Sequence, residues 1–253
     1  MLLFQPPPPT RYDLRFKLAG IPVRVHPLFW LIVILLGSSS GSLLQLLIWV
    51  LVVFVSILIH EFGHALAMRH YGRSSQVILH MMGGLTVPEQ VSWGDGWASV
   101  ALTPSQEIFI SLAGPGSGFL LAGLVLASVV VSGGSIITTA LLGFIPLPAA
   151  VLLPFGGSIL NAFVITLLWV NLFWGFINLM PVYPLDGGNV TRYLLLKSDP
   201  MDGVRKSLWV SVVAGILVAA IGFFLLDSIY MAVLFGFLAF QSYQSLQSRA
   251  SRF

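Results

Sequence analysis

Three ionisable side chains lie close together in an otherwise apolar stretch: His60, Glu61 and His64, in the sequence His-Glu-Phe-Gly-His. The seventeen residues before them, 43–59, include only two polar side chains. On an α-helix, residues i and i+4 share a face, so the two imidazoles project side by side, as two ligands of one zinc ion must. Glu61 lies one position further round the helix, within reach of a water molecule held by the metal, and can accept its proton. This spacing predicts a metal-dependent hydrolytic site.

A histidine pair at this spacing on a soluble helix is commonly an ordinary surface or core pair. Here the pair is accompanied by Glu61 and lies in a stretch that would otherwise exclude charged groups, since each costs about a few kcal/mol to hold in lipid. The combination favours a metal site within the depth of a membrane.

The composition is that of a membrane protein. Hydrophobic residues make up 57% of the chain and charged residues 8%, with a mean hydropathy of +0.95. The chain has no cysteine, so any metal ligands must be histidine, carboxylate or water. A pI near 9.5 could indicate nucleic acid, but no patch of interleaved aromatic and basic residues supports that partner.

The predicted fold class is an all-α polytopic membrane protein with about six transmembrane helices. We predict spans at about 27–42, 43–71, 107–132, 158–180, 208–226 and 229–246, which together form one integral-membrane domain, 27–246. The apolar segment 77–87 is broken by Gly83-Gly84, which argues against a spanning helix and favours a membrane-embedded, re-entrant hairpin.

The basic residues predict the topology. All twelve Lys and Arg lie before the first span, at or after the end of the second, within 192–206, or after the last. Assigning these four places to the cytoplasm satisfies the positive-inside rule and puts both termini, as tails 1–26 and 247–253, in the cytoplasm. Residues 133–157 must then cross the membrane twice or not at all, and we predict an outer loop or hairpin. No cleavable signal peptide is evident, so the first span would serve as an uncleaved signal-anchor. The expected location is the plasma membrane.

The same topology selects a third metal ligand. The second and fourth spans end on the same side, and Asp186 at the end of the fourth is the only acid between Glu107 and Asp199. Pro181 and Pro184 should unwind the chain there and turn the carboxylate inward. Two imidazoles and one carboxylate would leave a position open for water. The alternative is that Asp186 only caps a turn.

Three stretches, His60–His64, the Gly114-Pro115 span and the segment from Asn178 to Gly188, resemble the site-2 protease family of intramembrane zinc metalloproteases. The resemblance implies that His60, His64 and Asp186 bind one Zn²⁺ and that Glu61 is the general base. By the same resemblance, Asn178 would hold the substrate carbonyl or the oxyanion.

Gly83-Gly84 also resembles the family's membrane-embedded hairpin beside the active site, and we predict that Gly83, Gly84 and Leu85 bind the substrate. An unwound substrate strand could pair with the hairpin edge at 79–87 and so satisfy its freed backbone groups. The implied activity is endoproteolysis in or near a transmembrane segment of a single-span membrane protein, such as an anti-sigma or pro-sigma factor, in a prokaryotic membrane. No stretch is long enough for the PDZ domain of some family members, and no CBS domain is expected.

Two other functions remain open at this point. A metal transporter could use the same ligands as a permeation site, although such proteins spread polar residues over several spans and carry internal repeats. An inactive scaffold could bind transmembrane partners, although it would not need Glu61.

Overall fold

The structure is a computed structural model that describes residues 6–39, 41–89, 101–141 and 145–250. The chain is mostly helical, with two small sheets. In chain order the elements are β1 (Leu14–Leu18), β2 (Ile21–Val25), α1 (Pro27–Gly37), α2 (Leu43–His70), β3 (Ser75–His80), β4 (Gly83–Pro88), α3 (Pro104–Val131), β5 (Ser135–Leu141), β6 (Ile145–Leu152), α4 (Gly157–Asn178), α5 (Asp186–Ser198), α6 (Gly203–Phe224) and α7 (Ile229–Ala250).

Five helices of the described chain, α2, α3, α4, α6 and α7, are long and apolar enough to cross a membrane. Their bounds lie within a few residues of five of the predicted spans. The first predicted span, 27–42, contains the shorter α1, whose 11 residues extend for only about 16 Å, against a hydrocarbon core of about 30 Å. The prediction of six crossings, and of the side on which each terminus lies, stays a prediction.

The two longest helices begin at side-chain caps. The Ser42 hydroxyl accepts a hydrogen bond from the Gln45 amide at the start of α2. Thr103 and Gln106 form a reciprocal capping box at the start of α3, which satisfies amide groups that have no partner within the helix. These caps define where α2 and α3 begin, and therefore which residues of α3 lie beside His60.

A four-stranded sheet in the order β1-β2-β3-β4 adjoins α2. The segment predicted as an N-terminal tail, 1–26, supplies β1 and β2, and β2 pairs in parallel with β3 through Val23 and Val77. The predicted all-α class does not include this sheet. Its parallel pairing joins segments about fifty residues apart, so no local periodicity in the sequence indicates it. The limits of both predicted tails fall partly outside the described residues.

The predicted hairpin at 77–87 consists of β3 and β4, which pair antiparallel with His80 opposite Gly83. Its placement in lipid stays a prediction. Between α3 and α4, β5 and β6 form a second antiparallel hairpin within 133–157. Pro146 and Pro148 fit in β6 because a two-stranded ribbon leaves one edge of each strand without ladder hydrogen bonds.

The core around the sheet consists of aliphatic residues from β2, α1, α2 and β3. Val25, Phe29, Ile57 and Leu79 are all buried in it. Because apolar burial joins the sheet to the middle of α2, β4 is carried to the same level as His60 and Glu61.

Candidate metal centre

His60, His64 and Asp186 meet at one point although 126 residues separate the first from the last. The distance from His60 Nε2 to Asp186 Oδ2 is 3.0 Å, and from His64 Nε2 to Asp186 Oδ1 it is 3.3 Å. The two imidazole Nε2 atoms are 3.2 Å apart. Among the residues that the structure describes, this is the one group of three or more ligand-type side chains close enough to share an ion.

Helix α3 fixes the orientation of His64. Its Nδ1 lies 2.7 Å from the backbone carbonyl of Ile110, a distance at which Nδ1–H donates to that oxygen. A proton on Nδ1 leaves the lone pair on Nε2, which faces His60 and Asp186. A histidine held in this way is ready to bind a metal through Nε2.

Glycine at position 114 allows α3 to pass against the histidines. A Cβ atom there would lie 2.2 Å from His64 Nε2 and 2.8 Å from His60 Nε2. On the facing side, a Cβ at Gly63 would lie 2.2 Å from the Ala113 carbonyl oxygen. Small residues on both helices therefore let the backbones approach closely enough to enclose the site.

Asp186 is the first residue of α5, after the short irregular segment that follows α4. Its position depends on two tightly packed glycines. A Cβ at Gly187 would lie 2.1 Å from the Leu179 carbonyl oxygen, and one at Gly188 would lie 2.5 Å from the Tyr183 amide nitrogen. The carboxylate is thereby turned back toward α2 rather than along the axis of α4.

Glu61 is buried, with 5% of its surface exposed, and β4 covers it. The Thr86 hydroxyl lies 2.7 Å from Glu61 Oε2. A Cβ at Gly84 would lie 2.3 Å from Glu61 Cγ. Gly84, one of the hairpin residues that were predicted to bind substrate, therefore also lies against the predicted base.

A cavity of about 770 Å³ adjoins the metal ligands. Its wall includes Gly83, Gly84 and Leu85 of the hairpin as well as Asn178 of α4. The Asn178 side-chain amide donates to the Trp174 carbonyl at 2.9 Å. All eight residues that were predicted to form the site thus line this single cavity.

The cavity wall combines apolar and polar residues. It includes apolar residues of α1, α4 and α7, among them Phe29, Phe173 and Leu234. It also includes Arg73, which pairs with Glu107 at 3.5 Å, and Tyr193. Burial and the nearby Glu107 carboxylate raise the pKa of the Tyr193 hydroxyl.

The three donors fit a zinc ion. Ligands at about 2.0–2.2 Å from a tetrahedral zinc are about 3.3–3.5 Å from one another. The two imidazole Nε2 atoms are 3.2 Å apart, and each has one oxygen of the Asp186 carboxylate beside it, Oδ2 at 3.0 Å from His60 and Oδ1 at 3.3 Å from His64. Two neutral imidazoles and a carboxylate also match the chemistry of a catalytic rather than a structural zinc site, which keeps a position open.

Some residues that build the site have no counterpart in the sequence-based predictions. Thr86 was not predicted, although a hydroxyl in the apolar segment 77–87 was a usable indication. The contact of His64 with Ile110 could not have been found, because a backbone carbonyl has no signature in the sequence. Gly114 was named only as part of the Gly114-Pro115 span, and its contact with the histidines was not predicted.

The fold and the donor set define a polytopic membrane protein with a metalloprotease-type metal centre, and comparisons with known proteins agree. The sequence profile of peptidase family M50 matches residues 48–220. The zinc metalloprotease MJ0392 of Methanocaldococcus jannaschii is 30% identical over 194 residues, covering 74% of this chain and 46% of that protein. Rip3 of Mycobacterium tuberculosis is 28% identical over 229 residues, covering 80% of this chain and 49% of Rip3.

The structure of a site-2 protease from Methanocaldococcus jannaschii has a similar fold. The TM-score is 0.55 at 24% identity, over 93% of this chain and 95% of that one. Because the family profile covers more than half of the sequence, the chain belongs to peptidase family M50, the site-2 protease family. The predicted family is thus confirmed. The chain spans less than half the length of the two relatives above.

Proposed function

We propose that this protein is an intramembrane zinc endopeptidase that hydrolyses a peptide bond in or near the transmembrane segment of a membrane-anchored protein. The observation that carries the proposal is the meeting of two imidazoles and one carboxylate at 3.0–3.3 Å, next to a buried glutamate. The imidazoles and the glutamate lie on α2, which is long and apolar enough to cross a membrane. The zinc of the named relative MJ0392 supports the choice of metal.

His60, His64 and Asp186 would hold the zinc, which when bound supplies Lewis acidity and lowers the pKa of a bound water to about 7. Glu61 accepts the proton of the attacking water and later delivers it to the nitrogen of the leaving amine. Its burial beside the cavity keeps the carboxylate within reach of both groups and away from bulk water.

Asn178 is proposed to bind the substrate carbonyl or the oxyanion that develops from it. A side-chain amide carries two N–H donors, and its bond to the Trp174 carbonyl uses one of them. The second N–H is the donor that would act, and loss of one such donor typically costs about 10²–10³ in rate.

The edge of β4 is proposed to bind the substrate backbone. A transmembrane helix has its peptide groups in its own hydrogen-bond ladder, so the segment to be cut must unwind first. β4 is the last strand of its sheet, and pairing along Gly83, Gly84 and Leu85 would satisfy the freed backbone groups. The substrate is proposed to be a single-span protein such as an anti-sigma or pro-sigma factor, in a prokaryotic plasma membrane.

The test is cleavage by the purified protein in lipid vesicles that also contain a synthetic single-span peptide of about 40 residues with a fluorophore and a quencher on its two ends. The wild type should cleave the peptide within its apolar segment, at bonds identified by mass spectrometry. Glu61→Gln should retain zinc and be at least about 10²-fold slower, the usual contribution of a general base.

A zinc-sensitive dye trapped inside the vesicles separates the other two functions. Zinc entry without cleavage would establish a transporter. Peptide binding that is unchanged in Glu61→Gln, with no cleavage by either form, would establish a scaffold.

A further inference from the structure

Thr86 makes a contact that the proposed roles do not use. Its hydroxyl lies 2.7 Å from Glu61 Oε2 and 3.0 Å from the backbone carbonyl oxygen of the same residue. Since a hydroxyl has a single proton, and a hydrogen bond to an ionised acceptor is the stronger one, the proton belongs on the shorter contact, to the carboxylate.

The face of β4 that carries Thr86 is shaped around Glu61. Side chains alternate along a strand, so Gly84 and Thr86 point to the same face and Leu85 points to the other. On that face, a Cβ at position 84 would lie 2.3 Å from Glu61 Cγ and 2.4 Å from Oε1. Gly84 therefore leaves the space that the Glu61 side chain fills, and Thr86, two positions later, donates a hydrogen bond to the Glu61 carboxylate.

We propose that Thr86 is a positioning residue for the general base, a role that rests on the proposed function. By donating its hydroxyl proton to Oε2, Thr86 holds the Glu61 carboxylate in one rotamer, with Oε1 beside Gly84. Threonine suits this task because branching at Cβ restricts χ1 and fixes the direction of the hydroxyl. A glutamate without this partner would sample several orientations, few of them suited to proton transfer.

The assignment gives the hairpin a second role. The strand whose edge is proposed to bind the substrate backbone is the same strand that orients the base. The substrate bond to be cleaved and the carboxylate that accepts the proton are then both positioned by β4, so the distance between them depends on the geometry of this strand.

The experiment compares Thr86→Val, which removes the hydroxyl at nearly constant shape, with Thr86→Ser, which keeps it. Thr166→Val on α4 is the matched control, since its hydroxyl donates only to the Ala162 carbonyl of its own helix, at 2.7 Å. The probes are the single-span peptide in vesicles and fluorescein-labelled β-casein in detergent, an unfolded protein that needs no unwinding.

Thr86→Val should lower kcat on both probes by about 10- to 100-fold, with KM within about twofold and one zinc per chain retained. Thr86→Ser should recover most of the loss, and Thr166→Val should match the wild type. Wild-type kcat in Thr86→Val would overturn the proposal, and so would a loss that Thr86→Ser does not recover.

A second measurement separates this proposal from the proposed function. The Tm decrease caused by Thr86→Val is measured once in the wild-type protein and once in Glu61→Ala, which keeps the backbone carbonyl of residue 61 but removes its carboxylate. If the decrease disappears in Glu61→Ala, the Thr86 hydroxyl donates to the carboxylate. An equal decrease in both proteins would mean that it does not, and would overturn the proposal. If the wild type cleaves neither probe, the proposed function fails, and this cycle still decides the Thr86 contact.

Discussion

The substitution Gly114→Ala should weaken zinc binding strongly by adding one methyl group. The new Cβ would lie 2.2 Å from His64 Nε2 and 2.4 Å from His64 Cε1, where ordinary contact begins at 3.4 Å. The imidazole must therefore move by about 1 Å, whereas a metal site tolerates deviations of only about 0.2 Å in its distances. The ring cannot move freely, because Nδ1 is held by the Ile110 carbonyl at 2.7 Å.

The expected result is a loss of zinc affinity of at least about 10- to 100-fold, the loss typical when the support of a single metal ligand is removed. The assay is competition between the purified protein and a zinc-binding dye, with metal content measured by mass spectrometry after dialysis. Proteolysis should fall in proportion to the loss of zinc.

Two substitutions on the same helix are matched controls. A Cβ at Gly116 or at Gly123 would meet no atom within 4 Å, so alanine there should keep zinc and slightly stabilise α3, by about 0.5–1 kcal/mol each. Gly114→Ala protein that is folded and binds zinc with wild-type affinity would refute the steric reasoning.

Two further predictions concern the base and the metal. Gly84→Ala should keep zinc but lower kcat by at least about 10-fold. The new Cβ would lie 2.3 Å from Glu61 Cγ and would force the Glu61 side chain to move. Turnover equal to that of the wild type at equal zinc content would contradict this prediction. Removing zinc with a chelator should lower Tm, since an ion that binds only the folded chain stabilises it by about 2.7 kcal/mol at 100 times its Kd. Asp186→Ala should lose this response to zinc, whereas Asp199→Ala, at an exposed pair with Lys206, should keep it; a response retained in Asp186→Ala would count against that ligand.

The parts of the site that the sequence predicts are those with a local cause. The i, i+4 spacing of His60 and His64 needs only a helix, and the apolar run before them needs only a membrane. Asp186 could be predicted as the third ligand although it is far from the histidines in sequence, because the chain has few acids. Once the second and fourth spans were assigned to end on the same side of the bilayer, it was the single acidic candidate there.

The rest depends on contacts that no local pattern encodes. The parallel pairing of β2 with β3 joins the first strands to the hairpin across α1 and α2, and neither strand's own sequence reveals its partner. The helix α5, which begins at Asp186 itself, lies in a polar and basic segment that periodicity did not identify as helical. Thr86 and Ile110 act through single hydrogen bonds that the tertiary fold alone brings about.

The most direct test of the metal centre is X-ray absorption at the zinc K edge, on the purified chain carrying one zinc. The spectrum of the wild type should show two imidazole ligands and oxygen donors at about 2.0–2.2 Å. His64→Ala should retain one imidazole, and Asp186→Ala should retain both imidazoles with altered oxygen coordination. A wild-type spectrum without two imidazoles, or one that neither substitution changes, would show that the zinc binds elsewhere.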